Sequence, residues 1–333
     1  MTLIDVRDVT KRFDVRTRRF TRSKGTLTAV KDVSLQIETG ETLGLVGESG
    51  CGKSTLGRIV VRLIEPSSGE VRLDGVVYDP DDLVLRRSVQ IIFQDPYTSL
   101  PPKMRVGRIL AEPLLIHRIV PEEEVESRVR RLLADVGLKP EHANSYGSEL
   151  SGGQRQRVSI ARALAVEPEL IVADEAVSAL DVSVQAQILN LMRDLQEERG
   201  IAYLFISHDL GVVRYMSHRI AVMYLGEIVE LGSADDVTER ALHPYTNALL
   251  SAVPTIHGKS LASRAEAEPP DPANPPPGCS FHPRCSWAQD VCATESPQLI
   301  EWKPGHRASC HFALQVFEST GDLRSEPATG GDR

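Results

Sequence analysis

The hydrophobic and polar positions of this chain form short apolar runs separated by longer segments with helical spacing. Apolar runs and alternating positions predict strands at 3–9, 30–37, 41–46, 69–73, 89–93, 170–175 and 202–206. Apolar residues that recur every three or four positions predict helices at 56–63, 106–115, 122–136, 154–166 and 182–199. Strands that alternate with helices predict an α/β fold. Since residues 106–166 show helical spacing and no strand pattern, we interpret them as a helical insertion, a subdomain at about 100–166.

A glycine-rich stretch joins the predicted strand 41–46 to the predicted helix 56–63. It reads G-E-S-G-C-G-K-S-T and consists of Gly47, Glu48, Ser49, Gly50, Cys51, Gly52, Lys53, Ser54 and Thr55. A strand before it and a helix after it are the context in which the pattern G-x-x-x-x-G-K-[ST] binds phosphate. The glycines let backbone N–H groups turn toward an anion, and the helix presents its positive dipole end. We therefore predict a nucleoside triphosphate site, with Lys53 on the β- and γ-phosphates and the Ser54 hydroxyl on Mg²⁺.

Polar side chains follow three other predicted strands at their carboxyl ends. Gln94 comes directly after one of them, Asp174 and Glu175 end the next, and His208 follows the third in the sequence Ser-His-Asp. Ligands bind at this edge of open α/β sheets. Asp174 is suited to Mg²⁺, Glu175 to an attacking water, and His208 to a γ-phosphate. The alternatives are a solvated loop for the two acids and a structural role for the histidine.

A second candidate anion site lies in the helical insertion. Leu150 is followed by Ser151, Gly152, Gly153 and Gln154, directly before a predicted helix. A Ser-Gly-Gly turn that opens a helix can bind an anion for the same reasons of backbone and dipole as the first site. Serine is also a common helix N-cap, so the turn taken alone is weak evidence.

The segment between the first two predicted strands is polar and rich in basic residues, namely Arg16, Arg18, Arg19, Arg22 and Lys24. We interpret it as a solvated loop, and contact with anionic lipid headgroups is the alternative. Phe13 ends the first strand and Phe20 lies in the segment. Either ring offers a stacking platform for a purine. We favour Phe13, and the alternative is an ordinary core or loop aromatic.

Composition limits the class of protein. The 333 residues leave room for about two domains, and 41% hydrophobic with 25% charged residues are typical of a soluble protein with a sizeable core. The net charge of −8 disfavours a broad nucleic-acid surface. No apolar run approaches the ~18 residues of a membrane span, and the N-terminus lacks a signal-peptide core. We expect a cytoplasmic protein with no nucleic-acid partner.

The chain loses its regular periodicity after Pro254, and residues 256–278 form a proline-rich linker by composition. Beyond it lie Cys279, Cys285, Cys292 and Cys310, spaced C-x5-C-x6-C-x17-C. In a cytoplasmic protein this clustering points to metal before disulfides. Four thiolates hold Zn²⁺ or an iron–sulfur cluster, although the paired C-x2-C spacing of structural zinc is missing. Free thiols or disulfides are the alternatives, and residues 316–333 are expected to be a disordered tail.

These motifs, in this order, resemble those of the ATP-binding subunits of ABC transporters. The correspondences are 47–55 to the Walker A loop, Gln94 to the Q-loop, 150–154 to the LSGGQ signature, 170–175 to the Walker B strand, 178–181 to the D-loop, and His208 to the switch histidine. Together they span about 160 residues. The helical insertion that carries LSGGQ separates this family from other phosphate-loop ATPases.

Two further stretches resemble the dipeptide, oligopeptide and nickel importer subfamily, namely A-D-E-A-V-S-A-L-D-V-S-V-Q-A-Q at 173–187 and H-P-Y-T at 243–246. The segment 99–104 departs from it, since relatives commonly have Asn-Pro where this chain has Pro101 and Pro102. The stretch G-C-S-F-H-P-R-C at 278–285 resembles the C-terminal extension of peptide-importer ATPases, where a [4Fe-4S] cluster is expected. Nickel-type relatives usually lack this extension. The resemblance covers roughly residues 1–315.

The resemblance implies a phosphate-loop ABC-type ATPase domain at 1–255. Within it we expect an N-terminal antiparallel β subdomain and the helical signature subdomain, followed by a small Cys-rich C-terminal extension at 279–315. Two ATPase subunits would pack head to tail, with ATP between the Walker A loop of one subunit and the signature of its partner. The partner subunit is expected to be a paralogue.

The resemblance also implies residue roles. Mg²⁺, held by Ser54, Gln94 and Asp174, and the Lys53 ammonium would neutralise charge that develops on the phosphates. Glu175 and His208 would hold the attacking water. The signature residues and Asp181 of the D-loop would complete the nucleotide site across the dimer.

The function that this resemblance implies is ATP-driven import of di- and oligopeptides. The expected partners are two permease subunits and, indirectly, an extracytoplasmic solute-binding protein, which places the chain on the cytoplasmic side of the membrane as a peripheral protein. The alternatives are an accessory ATPase of a soluble complex such as carbon–phosphorus lyase and an importer of nickel or another small solute. A nucleic-acid or ribosome-associated ABC protein is disfavoured, because those usually carry two cassettes or a long coiled coil.

Overall fold

A computed structural model describes residues 1–16, 24–77, 82–95, 100–251 and 270–324. Phe20, Arg18, Arg19 and Arg22 lie outside these ranges, as do residues 256–269 of the proline-rich linker and the last nine residues, 325–333. The helices and strands below are those of the described residues.

The strands are β1 (Thr2–Arg16), β2 (Lys24–Glu38), β3 (Thr42–Val46), β4 (Ser68–Leu73), β5 (Val76–Val77), β6 (Val89–Ile92), β7 (Leu170–Asp174), β8 (Ala202–Ser207), β9 (Arg219–Tyr224), β10 (Glu227–Ser233), β11 (Ile300–Lys303) and β12 (His306–Ala308). A four-stranded sheet in the order β2-β1-β4-β5 is antiparallel throughout. It confirms the expected N-terminal antiparallel β subdomain. Its first two strands are longer than the alternation predicts, because several β-bulges let the pairing continue to Arg16 and Lys24.

An eight-stranded sheet in the order β11-β12-β10-β9-β3-β8-β7-β6 forms the centre of the protein. The strands from β9 to β6 in this order are parallel, whereas β10, β12 and β11 are antiparallel additions. Val46 pairs with Ser207, and Asp174 pairs with Ile206. This register aligns the carboxyl ends of β3, β7 and β8, which are the strands that precede the predicted site residues.

The helices are α1 (Lys53–Val60), α2 (Leu83–Ser88), α3 (Val106–Ile116), α4 (Val125–Asp135), α5 (Gly152–Leu164), α6 (Val182–Arg199), α7 (Leu210–Met216), α8 (Ala234–Glu239), α9 (Pro244–Ser251), α10 (Asp290–Thr294) and α11 (Ala313–Arg324). The helix predicted at 122–136 consists of a 3₁₀ turn, Glu122–Glu124, followed by α4. Helix α1 ends at Val60, before the predicted end at residue 63, because Arg62 adopts a positive φ of 58° and a right-handed helix cannot continue through that conformation.

Two hydrophobic clusters cover the two faces of the central sheet. On one face, Leu45 and Val172 pack with Leu56 and Ile59 of α1 and with the apolar side of the antiparallel sheet. On the other face, Ala173 and Phe205 pack with residues of α5, α6 and α7. Because both faces are covered, β3, β7 and β8 are buried along their whole length, and this explains their continuous apolar sequences.

The helical insertion is confirmed as a set of helices packed on one another. Leu110, Leu114, Leu132 and Leu133 are buried in the contact of α3 with α4 and α5. In the described part of the insertion, the one strand-like contact is an isolated bridge between Arg105 and Tyr146. The insertion therefore presents the start of α5, with its Ser-Gly-Gly turn, on a rigid support.

The C-terminal segment differs from the separate extension that the sequence predicts. The β11–β12 hairpin joins the central sheet through pairing of Glu230 in β10 with Ala308 in β12. The pattern does not reveal these strands because they have only four and three residues, and because the β10 partner of β12 lies far away along the chain. Residues up to Arg324 are helical, so the irregular tail predicted from residue 316 does not begin there.

None of the helices in the described ranges is both long enough and apolar enough to cross a lipid bilayer.

Candidate active site

The glycine-rich loop lies between the end of β3 and the start of α1. Gly52 is the N-cap of α1 with a φ of 110°, and a Cβ on it would lie 2.1 Å from the carbonyl oxygen of Ala29. A Cβ on Gly47 would lie 2.2 Å from the carbonyl oxygen of Met223. Both positions therefore require glycine, for the backbone conformation and for the close approach of neighbouring strands.

Lys53 is the first residue of α1 and is buried, with 4% of its surface exposed. Its ammonium donates to the carbonyl oxygens of Gly47 (2.7 Å) and Glu48 (2.9 Å) of the same loop. A buried ammonium needs such acceptors. The Lys53 ammonium therefore lies against the glycine-rich loop at the N-terminus of α1. From this position it is predicted to contact the phosphates.

Ser54 and Asp174 meet at the carboxyl edge of the sheet. The Ser54 hydroxyl donates to Asp174 Oδ1 at 2.8 Å, and Asp174 is 4% exposed. Burial raises the pKa of Asp174, an effect that the Ser54 hydrogen bond opposes and the neighbouring Glu175 carboxylate adds to. A hydroxyl beside a carboxylate is a donor set of the kind that Mg²⁺ prefers, so these two residues fit the predicted cation.

Glu175 faces a different set of groups from Asp174. Gln94 Nε2 donates to Glu175 Oε2 at 2.9 Å, and His208 Nδ1 lies 3.5 Å from Glu175 Oε1. The backbone of Glu175 has a φ of 49°, and its N–H donates to the carbonyl oxygen of Ile206. This conformation lets two consecutive acids point to different partners. The structure thus brings Gln94, Glu175 and His208 together, as the sequence predicts.

The signature residues form the N-terminus of α5. Ser151 and Gln154 make a capping box, in which each backbone N–H donates to the other side chain. A Cβ on Gly153 would lie 2.5 Å from Val184 in α6, and one on Gly152 would lie 3.5 Å from Leu180 in the D-loop. The turn therefore packs on the D-loop of its own chain, and Asp181 is the N-cap residue of α6 beside it.

Phe13 lies on β1, opposite Leu27 of β2, and 37% of its surface is exposed. Ala29, which approaches Gly52, lies two residues further along β2. The Phe13 ring is partly exposed, and the Lys11 ammonium lies 5.2 Å from its centroid. The adenine contact itself stays a prediction.

Two residues at the site were missed by sequence reasoning. The Tyr245 hydroxyl accepts a hydrogen bond from the Glu48 N–H at 2.8 Å, and Arg284 forms an ion pair with the Glu48 carboxylate at 2.8 Å. Tyr245 belongs to the H-P-Y-T stretch, and Arg284 belongs to the Cys-rich residues 279–315, called the cysteine segment below. Both stretches are recognisable in the sequence. Neither stretch contains a signal that it contacts the glycine-rich loop.

The four C-terminal cysteines are free thiols that line one small cavity. Burial raises the pKa of Cys285 to about 11 and that of Cys310 to about 12. Among the described residues, no group of three His, Cys, Asp or Glu side chains is arranged to hold a metal ion. The four thiols thus converge on one cavity as a candidate donor set for the predicted zinc or iron–sulfur site, but these described residues are not arranged as a formed metal site.

The fold and this site together define an ABC-type ATPase, and comparison with known proteins agrees. The family ABC transporter matches residues 30–178, and the family Oligopeptide/dipeptide transporter, C-terminal region matches residues 229–292. Among solved structures, the dimeric ATP-binding cassette MJ0796 bound to ADP and Pi is 32% identical with a TM-score of 0.61, covering 70% of this chain and 99% of that chain.

Relatives match almost the whole chain. It is 48% identical over 320 residues to the oligopeptide transport ATP-binding protein AppF of Bacillus subtilis, covering 93% of this chain and 97% of that protein. It is 45% identical over 322 residues to the di/tripeptide transport ATP-binding protein DppF of Pseudomonas aeruginosa, covering 95% and 99%. The chain belongs to the family of ABC transporter ATP-binding proteins of the oligopeptide/dipeptide group.

Proposed function

We propose that this chain is the ATP-hydrolysing subunit that energises import of di- and oligopeptides, bound peripherally to the cytoplasmic side of the membrane. The observation that carries the proposal is the meeting of Lys53, Ser54, Asp174 and Glu175 at one sheet edge. It occurs in a chain whose relatives are named for oligopeptide and di/tripeptide transport over nearly their full length.

The phosphates bind at the N-terminus of α1 in this proposal. Backbone N–H groups of the loop and the Lys53 ammonium hold the β- and γ-phosphates, and Phe13 stacks on the adenine. Ser54 and Asp174 would hold Mg²⁺, with Gln94 as the third ligand. The cation, when bound, supplies positive charge that stabilises the transferring phosphoryl group.

Glu175 is the general base, and His208 positions the attacking water and the γ-phosphate. The support is that Gln94 and His208 both reach the Glu175 carboxylate, which is 13% exposed and so lies at the border between sheet and solvent. Gln94 follows β6 at the edge of the central sheet and donates directly to this base. It is therefore placed to link nucleotide contacts to the helical insertion, which begins a few residues after it.

The site is completed by a second subunit. The signature residues Ser151, Gly152, Gly153 and Gln154 contact His142 and the D-loop region of their own chain. Ser151 and Gln154 use their own N–H groups in the capping box, so the Gly152 and Gly153 N–H groups at the start of α5 are the ones suited to the γ-phosphate bound by a partner, with Asp181 at the same interface. MJ0796, a structural neighbour, is dimeric. We propose a head-to-tail dimer, in which the partner is a paralogue.

A groove beside the Q-loop is the proposed docking site for the permease subunits. It has a volume of about 260 Å³ and runs between the end of β6 and helices α3 and α5 of the insertion. Phe93 and Ile116, which line it, are 37% and 60% exposed. An exposed apolar surface of this kind is typical of a protein contact site. Movement of the insertion on nucleotide binding would be transmitted to the permease here.

The four cysteines are proposed to hold the iron–sulfur cluster that the family resemblance implies. The support is limited to the convergence of Cys279, Cys285, Cys292 and Cys310 on one cavity and to the affinity of four thiolates for such clusters. Anaerobic purification with iron, sulfide and zinc analysis tests this: about four iron and four sulfide per chain are expected. A colourless, metal-free, fully reduced segment contradicts it.

Co-expression with the permease subunits tests the main proposal. We expect the chain to fractionate with membranes only when two permease subunits are present, and an Ile116→Glu variant to lose this association. Leu314→Glu, at a residue that is 43% exposed on α11, is the matched control and retains it. A chain that stays soluble beside both permease subunits contradicts the proposal and favours the accessory ATPase of a soluble complex.

The substrate class is tested in the reconstituted assembly. Peptides should stimulate ATP hydrolysis in the presence of the solute-binding protein, whereas nickel salts should not. Stimulation of ATP hydrolysis by nickel alone would show that the transported solute is a metal ion and would leave the proposed ATPase site unaffected.

A further inference from the structure

The cysteine segment contacts the Walker A loop directly, across 236 positions of sequence. Arg284 ends the 3₁₀ turn His282–Arg284. Its two terminal nitrogens donate to the two carboxylate oxygens of Glu48, at 2.9 Å and 2.8 Å. This is a bidentate ion pair, the geometry in which arginine binds a carboxylate most specifically. The Arg284 side chain is 6% exposed and the Glu48 side chain 28%.

Two aromatic side chains next to the guanidinium of Arg284 hold it in place beside Glu48. The guanidinium lies 5.8 Å from the ring centroid of Tyr224 and 5.7 Å from that of Phe281, within the range of cation–π attraction. Tyr224, Tyr245 and Phe281 also pack against one another, with centroids 4.6 to 5.4 Å apart. A buried arginine held between rings has few other conformations, so the position of Arg284 is determined jointly by Phe281 of the C-terminal segment and Tyr224 of β9.

Glu48 is held at its backbone as well as its side chain. Its N–H donates to the Tyr245 hydroxyl, and its carbonyl oxygen accepts from the Lys53 ammonium at 2.9 Å. The same residue thus connects Arg284, Tyr245 and the lysine that binds phosphate. A displacement of Glu48 would move the acceptor that places Lys53.

The ion pair also affects the electrostatics of the loop, because it neutralises the negative charge of Glu48. The Glu48 carboxylate belongs to a loop that binds a polyanion, and an unpaired carboxylate there repels the phosphates. Arg284 neutralises this charge and fixes its oxygens at the guanidinium. Arginine suits this task because its planar group binds both oxygens at once, which a lysine ammonium cannot do.

We propose that Arg284 is a positioning residue of the nucleotide site, which through Glu48 holds the Walker A loop in its ATP-binding conformation. The C-terminal cysteine segment is then a structural part of the ATP site. This inference rests on the phosphate-binding role proposed above for the loop, and it is independent of the transported solute.

The test is ATP binding to full-length Arg284→Met, which keeps much of the side-chain volume and removes the charge. We expect the Kd for a fluorescent ATP analogue and the KM for ATP to rise roughly tenfold, the factor given by the loss of one charged hydrogen-bonded contact. The kcat, measured with the partner ATPase subunit, should stay within about twofold, because Glu175 is untouched. Arg307→Met, at an exposed arginine of the same segment, is the matched control and should bind ATP normally.

A double-mutant cycle with Glu48→Gln separates positioning from general stability. If Arg284 acts through Glu48, Arg284→Met has little effect on the Kd in the Glu48→Gln background. An equal loss of affinity in both backgrounds, or an unchanged Kd with only a lower melting temperature, overturns the proposal.

A conservative variant covers the case in which Arg284→Met fails to fold. Arg284→Lys keeps the charge and loses the bidentate contact, so we expect an intermediate Kd; a Kd equal to that of the unaltered chain overturns the proposal. If the unaltered chain itself binds no ATP, the proposed nucleotide site is wrong, and that result is distinct from a failure of the Arg284 contact alone.

Discussion

At the residue scale, the site depends on the different surroundings of two consecutive acids. Asp174 ends β7, is buried, and accepts from the Ser54 hydroxyl. Glu175 follows with a positive φ of 49° and faces Gln94 and His208. A residue other than glycine in this region of backbone space is strained, and such strain is concentrated at functional sites. The turn of the backbone after Asp174 therefore separates the proposed metal ligand Asp174 from the proposed base Glu175.

Glu175→Gln should retain ATP binding and reduce turnover at least about a hundredfold, because an amide cannot accept the proton of the attacking water. ATP binding is measured by fluorescence titration and turnover by phosphate release. Glu197→Gln, at an exposed carboxylate on α6, is the control and should hydrolyse ATP normally. Near-normal turnover in Glu175→Gln would show that another group is the base.

Gly52→Ala should destabilise the fold by about 2 kcal/mol or more and weaken ATP binding, since its Cβ would collide with the Ala29 carbonyl. The matched control is Gly200→Ala, at a positive φ of 67° with no atom within 4 Å of the added Cβ. That variant should lose only about 1 kcal/mol, from backbone strain. Urea unfolding and ATP titration of both variants measure the difference. Equal losses in the two would exclude the close approach as the cause.

At the scale of elements, the signature turn owes its shape to helix capping and to close packing. The reciprocal hydrogen bonds of Ser151 and Gln154 fix the first turn of α5, and the missing side chain of Gly153 lets α5 approach Val184 of α6. The turn and the D-loop therefore form one rigid surface. In the proposed dimer this surface faces the partner's nucleotide.

Ser151→Arg should leave ATP binding to a single subunit largely intact and block hydrolysis in the assembled dimer, because the arginine fills the space of the partner's γ-phosphate. Loss of a helix cap alone weakens a helix by about 1 kcal/mol. Ser233→Ala, which removes the cap of α8, controls for that effect and should hydrolyse ATP normally. Hydrolysis at full rate by a monomer would contradict the shared site.

At the scale of the whole molecule, one buried carboxylate connects the C-terminal segment to the ATPase domain. Glu230 in β10 has no exposed surface and accepts from the N–H groups of Leu242 and His243 and from the Thr246 hydroxyl. His306 Nε2, in β12, lies 2.7 Å from Glu230 Oε1, the oxygen that also accepts from Leu242. Burial lowers the pKa of His243 to about 3, so that this ring is neutral near pH 7. The H-P-Y-T stretch and the last hairpin of the sheet thus share one anchor.

Glu230→Gln should lower the free energy of unfolding by about 2–4 kcal/mol, because an amide leaves buried donors without an acceptor. Glu301→Gln, at a carboxylate that is 51% exposed, is the control and should change stability by less than about 0.5 kcal/mol. Denaturant unfolding of both variants gives the comparison. A loss no larger than that of the control would show that the anchor contributes little.

The motifs allowed much of the fold and the ATP site to be predicted from the sequence. The apolar runs before Gly47 and Glu175 are confirmed as buried strands, because burial on both faces leaves a continuous hydrophobic sequence. The run before Gln94 is confirmed as a strand, β6, which is partly buried at the edge of the sheet. The turn at Ser151 is confirmed as a helix start for a similarly local reason, its capping box. The hairpins β9–β10 and β11–β12 were missed, although each is closed by a short local turn, with Tyr224 opposite Glu227 and Lys303 opposite His306. The apolar run of β9 is continuous, which periodicity alone does not distinguish from a buried helix, and β11 and β12 have only four and three residues.

The phosphate-binding loop, the acids at the end of β7, the signature turn and the family can be recognised in the sequence, because each depends on neighbouring residues in a fixed spacing. That the segment around the cysteines joins the central sheet, and that Arg284 binds Glu48 of the loop, follows from the packed fold alone. The physical reason is that an ion pair between residues so far apart leaves no local pattern. It exists only after β10, β12 and the aromatic residues around Arg284 have packed together.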